Sequence, residues 1–367
     1  QQVRPALAAG QKARGRAAWA YWRGHRGAAY GRKWASRLRT VQTRRFGDTD
    51  LETSAIGFGT WALGSDWWGP HEDPDRLIAR ALDLGVTFFD TADTYGQGLN
   101  EEIVGTALAR AGAPRDAIQL STKFGYAIEF ERGEHRESER PHDWSPAHAR
   151  HALEESLRRL RTDHLDLYQL HNPRMDAIES DELFAELEAM KAEGKIRHYG
   201  VALGPKIGWR DEGVRALEER EIASLQTVYN LLEQEPGADF LEAAERRGAG
   251  VIARVPTSSG LLEGHLTPDT TFEAPDHRRH RPREWLIDGL KKVEQLDFLT
   301  RGGARTLAQA AMAFILAQPA IACIVHTVTT EAELAEWAGA ADVAPLSEDE
   351  LDAVDELYRS GFGLATA

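Results

Sequence analysis

Gly85-Val86-Thr87-Phe88-Phe89-Asp90-Thr91-Ala92-Asp93-Thr94-Tyr95-Gly96 is the stretch whose reading decides the fold. Val86 to Phe89 is an apolar run too short for a helix, and β-branched and aromatic residues favour a strand there. Before it, Asp75 to Leu84 presents Leu77, Ile78, Ala81, Leu82 and Leu84 on one helical face, and Gly85 ends that helix as a glycine C-cap does. After it, Asp90 closes the run with a carboxylate and the chain turns polar. A short buried strand that follows an amphipathic helix and ends on a polar residue is the unit of a parallel sheet covered by helices.

The same unit recurs along the chain. Strands are expected at Ser54 to Gly59, Thr87 to Asp90, Ile118 to Lys123, Leu165 to His171, Ile196 to Ala202, Ser224 to Tyr229, Gly250 to Val255 and Ile321 to His326. Helical periodicity is found in the intervals: Ser145 and Pro146 open a helix through Leu160, and Glu182 to Ala192, Gly237 to Arg247, Thr306 to Ala317 and Thr330 to Ala338 follow. Eight strands alternating with helices imply an α/β fold, a (β/α)8 barrel. Three stretches exceed what the barrel needs. They are Tyr126 to Asp143, the long loop Gly260 to Pro282 after strand seven with a helical piece from Arg283, and a C-terminal helix over Ser347 to Arg359 with Ser347 and Glu350 in capping-box spacing.

The chain has 367 residues, 42% hydrophobic and 28% charged, enough for one large core. Residues 1–40 hold ten Lys and Arg and no Asp or Glu; the rest carries 34 basic against 58 acidic residues, a net of −24. We therefore expect a basic, disordered extension over 1–40 and one barrel domain over 44–367, whose acidity argues against nucleic acid binding there. Cys323 is the only cysteine and has no disulfide partner within the chain. No apolar run approaches the roughly 20 residues that span a bilayer. The expectation is a soluble, cytoplasmic protein with no membrane partner; its oligomeric state is not written in the sequence.

Four polar residues, Asp90, Tyr95, Lys123 and His171, sit at or just past the ends of three of these strands. The C-terminal strand ends of a parallel barrel share one mouth, where such folds keep their chemistry. A phenol beside an ammonium, a carboxylate and an imidazole can move a proton to or from an oxygen on carbon. A free phenol titrates near about pH 10, too high for efficient exchange at neutral pH, and a neighbouring ammonium stabilises its anion.

The segments Gly57-Phe58-Gly59-Thr60-Trp61, Gly85 to Gly96, Ser121-Thr122-Lys123-Phe124 and Asp163-His164-Leu165-Asp166-Leu167-Tyr168-Gln169-Leu170-His171 together resemble the aldo-keto reductases. That resemblance implies an NAD(P)H-dependent oxidoreductase reducing an aldehyde or ketone, or oxidising the alcohol. Tyr95 would be general acid, Lys123 and Asp90 its ion-paired support, and His171 the orienter of the carbonyl. It places Gly59, Thr60, Trp61, Gln226 and Arg254 at the cofactor, with Gln226 on the carboxamide and Arg254 where many relatives stack an aromatic. Trp61, Trp67, Trp68, Phe124 and Trp144 would wall a small carbonyl substrate. Two departures stand out: the family's Ser-Asn pair after strand five is Ala202-Leu203 here, and its last phosphate-binding loop is Thr327-Val328-Thr329-Thr330. Thr327, Thr329 and Thr330 at a helix start can offer hydroxyls and N–H groups to phosphate, whereas Glu331 and Glu333 would repel a 2′-phosphate. NADPH and NADH are both left open. Two other readings of the same residues are a nicotinamide-nucleotide-sensing regulatory subunit with little turnover and a redox-neutral epimerase.

Overall fold

The computed structural model describes residues 41–64, 69–128, 140–204 and 209–364. The expected extension over 1–40, and Trp67 and Trp68, lie outside the described residues. β1 (Thr43–Arg45) and β2 (Glu52–Ser54) form an antiparallel hairpin. Then come β3 (Ile56–Gly59), β4 (Phe88–Asp90), β5 (Gln119–Phe124), β6 (Leu165–His171), β7 (Ile196–Ala202), β8 (Ser224–Val228), β9 (Gly250–Arg254) and β10 (Ile321–Thr327). These eight close into a barrel in the order β10-β3-β4-β5-β6-β7-β8-β9, every neighbouring pair parallel. The expected first strand divides: Ser54 belongs to the hairpin, and the barrel strand starts at Ile56.

Side chains alternate across a strand, so each barrel strand serves two cores. Phe89, Leu120, Phe124, Tyr168 and Leu170 point outward into the layer under the helices, where Phe124 stacks on Tyr168 at 4.4 Å between ring centroids. Phe88, Leu167, Ile252, Cys323 and Val325 point inward, and the hairpin turn closes the lower end of the barrel with Phe46 and Leu51. Above this apolar floor the inward positions turn polar: Asp90 on β4, Ser121 and Lys123 on β5, Gln169 and His171 on β6, Gln226 on β8.

The helices start where their caps dictate. Ser145 accepts from His148 N at 3.2 Å with Pro146 at the first position, and Thr306, Thr330 and Ser347 each complete a capping box. Helices Leu99–Ala111 and Arg210–Glu219 stand beyond those expected, and the apolar period of the first is weak. The first starts from a run of left-handed residues, Gly96, Gln97 and Gly98, without a side-chain cap, and it buries Asn100 and Glu101 among its apolar positions. Glu101 is wholly buried, taking a hydrogen bond from Thr122 Oγ1 at 2.6 Å and from Arg159 Nε at 2.6 Å. A Cβ on Gly98 would lie 2.8 Å from the Arg159 side chain, and its φ of +88° is one that L side chains rarely adopt, so position 98 favours glycine.

Removing one partner of a buried ion pair leaves the other charge uncompensated and costs about 3 kcal/mol or more. Glu101→Gln should therefore lower stability by about that amount, as read from chemical denaturation. A denaturation midpoint equal to that of the parent would show that Arg159 finds another partner.

Candidate active site

The strand alternation that makes the polar upper layer also builds the site. Lys123 and Asp90 face each other across adjacent strands, with Nζ 2.5 Å from Asp90 Oδ2 and 2.7 Å from the Thr91 carbonyl. Lys123 is 1% exposed, so this is an ion pair taken out of water. Burial works against the ammonium, but the charges of Asp90 and Tyr95 and the hydrogen bond to Asp90 outweigh it, and the Lys123 pKa ends above its ordinary value. The chain leaves β4 through Thr91 and Asp93, whose N–H groups donate to the Ser121 and Lys123 carbonyls at 2.9 and 3.2 Å. That path delivers Tyr95 over the pair, its ring centroid 5.4 Å from Lys123 Nζ.

His171, at the end of β6, meets the Tyr95 ring edge-on at 5.9 Å. Burial first, and then the charges of Lys123 and Arg254, push its pKa well below 6.5, so the ring is neutral at neutral pH. Its Nδ1 is buried without a hydrogen-bond partner. A neutral imidazole and a phenol on one rim are two groups able to face a single oxygen.

The walls are aromatic. Trp61 lies 6.3 Å from the Tyr95 ring and 5.6 Å from His277, which the long loop after β9 brings across the mouth. On the other side Tyr126 meets His171 edge-on at 5.2 Å and stands against His142 at 4.1 Å, which in turn stacks on Trp144 at 5.0 Å. Trp144 thus buttresses His142. Phe124 does not line the mouth: the residue after inward-facing Lys123 must point outward, into the helix layer, where it is fully buried.

Several residues expected at the cofactor are spent on the scaffold. A Cβ on Gly59 would sit 2.6 Å from the His326 carbonyl, so this glycine allows β3 to approach β10. The Thr60 hydroxyl is buried against Asn100 Oδ1 at 2.7 Å and the Asp90 carbonyl at 3.0 Å. Thr329 donates to Glu333 Oε2 at 2.6 Å, and Thr330 caps its own helix through Glu333 N, so both hydroxyls are engaged within the chain. Thr327 ends β10, and its carbonyl faces His326 Nδ1 at 3.0 Å. Gln226 turns its amide to Asp90 Oδ2 at 3.1 Å.

Arg254 ends β9 with Nη2 3.0 Å from the Leu203 carbonyl, beside the Ala202-Leu203 pair. Burial lowers the Arg254 pKa, against the favourable charges of Tyr95, Asp90 and Glu233. Beyond it, Val255, Ser258, Ser259 and Gly260 all adopt positive φ, and two guanidinium groups converge on that turn. Arg278 Nη1 is 3.2 Å from the Ser259 carbonyl and Arg281 Nη2 is 3.2 Å from Ser259 Oγ. Barrels of this kind often bind phosphate at the loops after strands seven and eight, and turns in left-handed conformation with nearby cations suit an anion. The turn is braced by Glu263. Burial raises its carboxyl, but the His326 hydrogen bond and charge and the Thr257 hydroxyl outweigh that and bring it to about 2.

Sequence reasoning did not single out Ser121, Gln169, Asn100 or Glu101 as parts of the site, nor His277 as a mouth residue. The period-two rule applied to β5 and β6 could have found the first two, since Ser121 shares a face with Lys123 and Gln169 with His171.

Among the described residues no helix is long and apolar enough to cross a membrane. Residues 55–359 match the profile of the Aldo/keto reductase family. The chain is 35% identical over 286 residues to the aldo-keto reductase YhdN of Bacillus subtilis, an alignment covering 74% of this chain and 80% of that protein. Among solved structures it is similar to the glycerol dehydrogenase AKR11B4 of Gluconobacter oxydans, with a TM-score of 0.75, 29% identity, and 90% and 98% of the two chains covered. The holo form of aldo-keto reductase AKR11C1 of Bacillus halodurans gives a TM-score of 0.70 at 29% identity, covering 87% and 96%. With its barrel, its polar mouth and these relatives, the chain belongs to the aldo/keto reductase family of oxidoreductases, which act on carbonyl compounds with nicotinamide cofactors.

Proposed function

We propose that this chain reduces an aldehyde or ketone, or oxidises the corresponding alcohol, with Tyr95 as the group that passes the proton. The buried Lys123–Asp90 pair beneath the Tyr95 ring carries this reading. A charge pair in a dry site is costly, and here it faces a phenol and a neutral imidazole at the open end of the barrel. A nicotinamide bound in the mouth would supply or take up the hydride. Tyr95 gives its proton to the carbonyl oxygen as that oxygen becomes an alcohol, and takes it back in the reverse direction. Lys123 stabilises the phenolate left behind, and Asp90 holds the ammonium in place. His171 donates to the same oxygen and fixes its direction, as an oxyanion hole does.

The residues that would hold the dinucleotide are Arg254 at the nicotinamide side, in the place of the missing polar pair, and the Thr257–Gly260 turn with Arg278 and Arg281 at the phosphates. Trp61, Tyr126 and His277 would pack against the substrate, which favours carbonyl compounds with a flat or apolar face. The Gluconobacter neighbour is a glycerol dehydrogenase, so small polyols belong in the test panel as oxidation substrates.

Tyr95→Phe removes the proton and leaves the ring in place. The expected result is a fall in kcat of about 10²-fold to 10⁴-fold with nucleotide affinity unchanged. Steady-state kinetics over a carbonyl and polyol panel, with NADH and NADPH each titrated by fluorescence, measure both; undiminished turnover in the variant would overturn the mechanism.

The depressed His171 pKa makes a second prediction. The folded protein keeps this ring neutral below pH 6.5, where the unfolded chain takes up a proton. Its contribution to stability is thus complete above 6.5 and is lost as pH falls toward the folded value. Activity should accordingly show no acid limb near 6.5. A limb centred there that disappears in His171→Gln would contradict the assignment.

A further inference from the structure

The Asp90 carboxylate accepts from four side chains, two on each oxygen. Oδ2 takes Lys123 Nζ at 2.5 Å and Gln226 Nε2 at 3.1 Å; Oδ1 takes Ser121 Oγ at 2.9 Å and Gln169 Nε2 at 3.3 Å. Gln169 Nε2 also lies 2.8 Å from Ser121 Oγ, so these two residues form one unit behind the carboxylate. Both are wholly buried, and their side-chain hydrogen bonds run to Asp90 and to each other. The barrel register places them: Lys123 pairs with Gln169 across β5 and β6, and Ser121 stands two residues below Lys123 on the same face.

We propose that Ser121 and Gln169 are positioning residues for the proton transfer, setting through Asp90 where Lys123 points and how much negative charge faces Tyr95. The inference rests on the reading of Tyr95 as proton donor. A buried carboxylate held on one oxygen alone can rotate and exchange its oxygens, which would release the ammonium from its aim. Donors on Oδ1 fix the carboxylate plane, so Oδ2 stays with Lys123. They also offset part of the negative charge, leaving more of the ammonium's field for the phenol. The Gln169 amide is oriented for this task, since its Oε1 has no hydrogen-bond partner while its Nε2 serves both Asp90 and Ser121.

The other titratable groups around the pair come from separate elements. Tyr95 and Asp93 lie on the loop after β4, His171 on β6, Arg254 on β9 and Cys323 on β10. None of them hydrogen-bonds Oδ1; among the described residues Ser121 and Gln169 are the side chains that do. Their removal therefore changes the field at Tyr95 without removing any group that touches substrate.

The test is the pH profile of kcat/KM for carbonyl reduction in Ser121→Ala, Gln169→Leu and the double variant, with thermal melting as the check on folding. Loss of the donors leaves Asp90 more negative toward the phenol, so the alkaline limb should move up by about one pH unit in the double variant. kcat at pH 7 should fall about tenfold, with KM for nucleotide and carbonyl held within about twofold. A profile that superimposes on the parent in a folded variant, or a loss confined to KM, would overturn the proposal. Should Gln169→Leu not fold, Ser121→Ala alone gives the same reading with a smaller displacement. Retained turnover in Tyr95→Phe defeats the functional reading itself; an inactive Tyr95→Phe together with unmoved profiles in the Ser121 and Gln169 variants defeats only this inference.

Discussion

A lysine ammonium held out of water against one carboxylate is the constraint around which the upper half of this barrel is arranged. Such a pair persists only if the remaining lone pairs and protons find partners, because desolvation otherwise exceeds the attraction. Here Thr91 supplies a carbonyl to Lys123, while Ser121, Gln169 and Gln226 supply donors to Asp90. Each sits on a different strand or loop, and a parallel barrel is the architecture that brings those positions to one height. Below them the same inward face becomes apolar, and Phe46 and Leu51 of the hairpin close it. The division into a dry floor and a polar mouth separates what holds the barrel together from what it does.

Support for the site continues outside the barrel wall. Thr122, on the opposite face of β5 from Lys123, donates to Glu101, and Glu101 pairs with Arg159, whose side chain underlies the Gly98 turn. The loop carrying Tyr95 is thus tied at its start to β5 through backbone hydrogen bonds and at its end to a buried ion pair. The proposed cofactor side follows a different logic. The polar pair expected after β7 is absent, and the Arg254 guanidinium reaches across from β9 to the Leu203 carbonyl instead. The positive groups near the Thr257–Gly260 turn come from the loop after β9, as Arg278 and Arg281, while the carboxylate of Glu333, in the first turn of the helix after β10, is absorbed by its own helix cap.

Much of the fold was legible in the sequence because strand length and apolar content are local properties. The β6 and β7 boundaries match their expected residues, and the other barrel strands begin or end within two residues of theirs. The Leu99–Ala111 helix was not legible, because it buries Asn100 and Glu101 and so breaks the apolar period that marks a helix. Residue types that suit a ligand also serve the scaffold here. Thr330 is a helix N-cap, Thr329 donates to Glu333 beside it, Thr60 serves a buried network, and Phe124 faces away from the mouth by strict alternation with Lys123.

The sequence by itself determined the eight strands, the polar residues at their ends and the set Asp90, Tyr95, Lys123 and His171. These follow from local pattern and from the chemistry of the side chains. Only the tertiary structure decided which of those polar residues meet, that Gln226 turns to Asp90, that Ser121 and Gln169 stand behind it, and that His171 is stripped of its proton by burial and by Lys123 and Arg254. Inter-strand register and burial set these outcomes, and both are properties of the closed barrel: a hydrogen bond or a pKa shift depends on neighbours that lie 31 to 136 residues away along the chain.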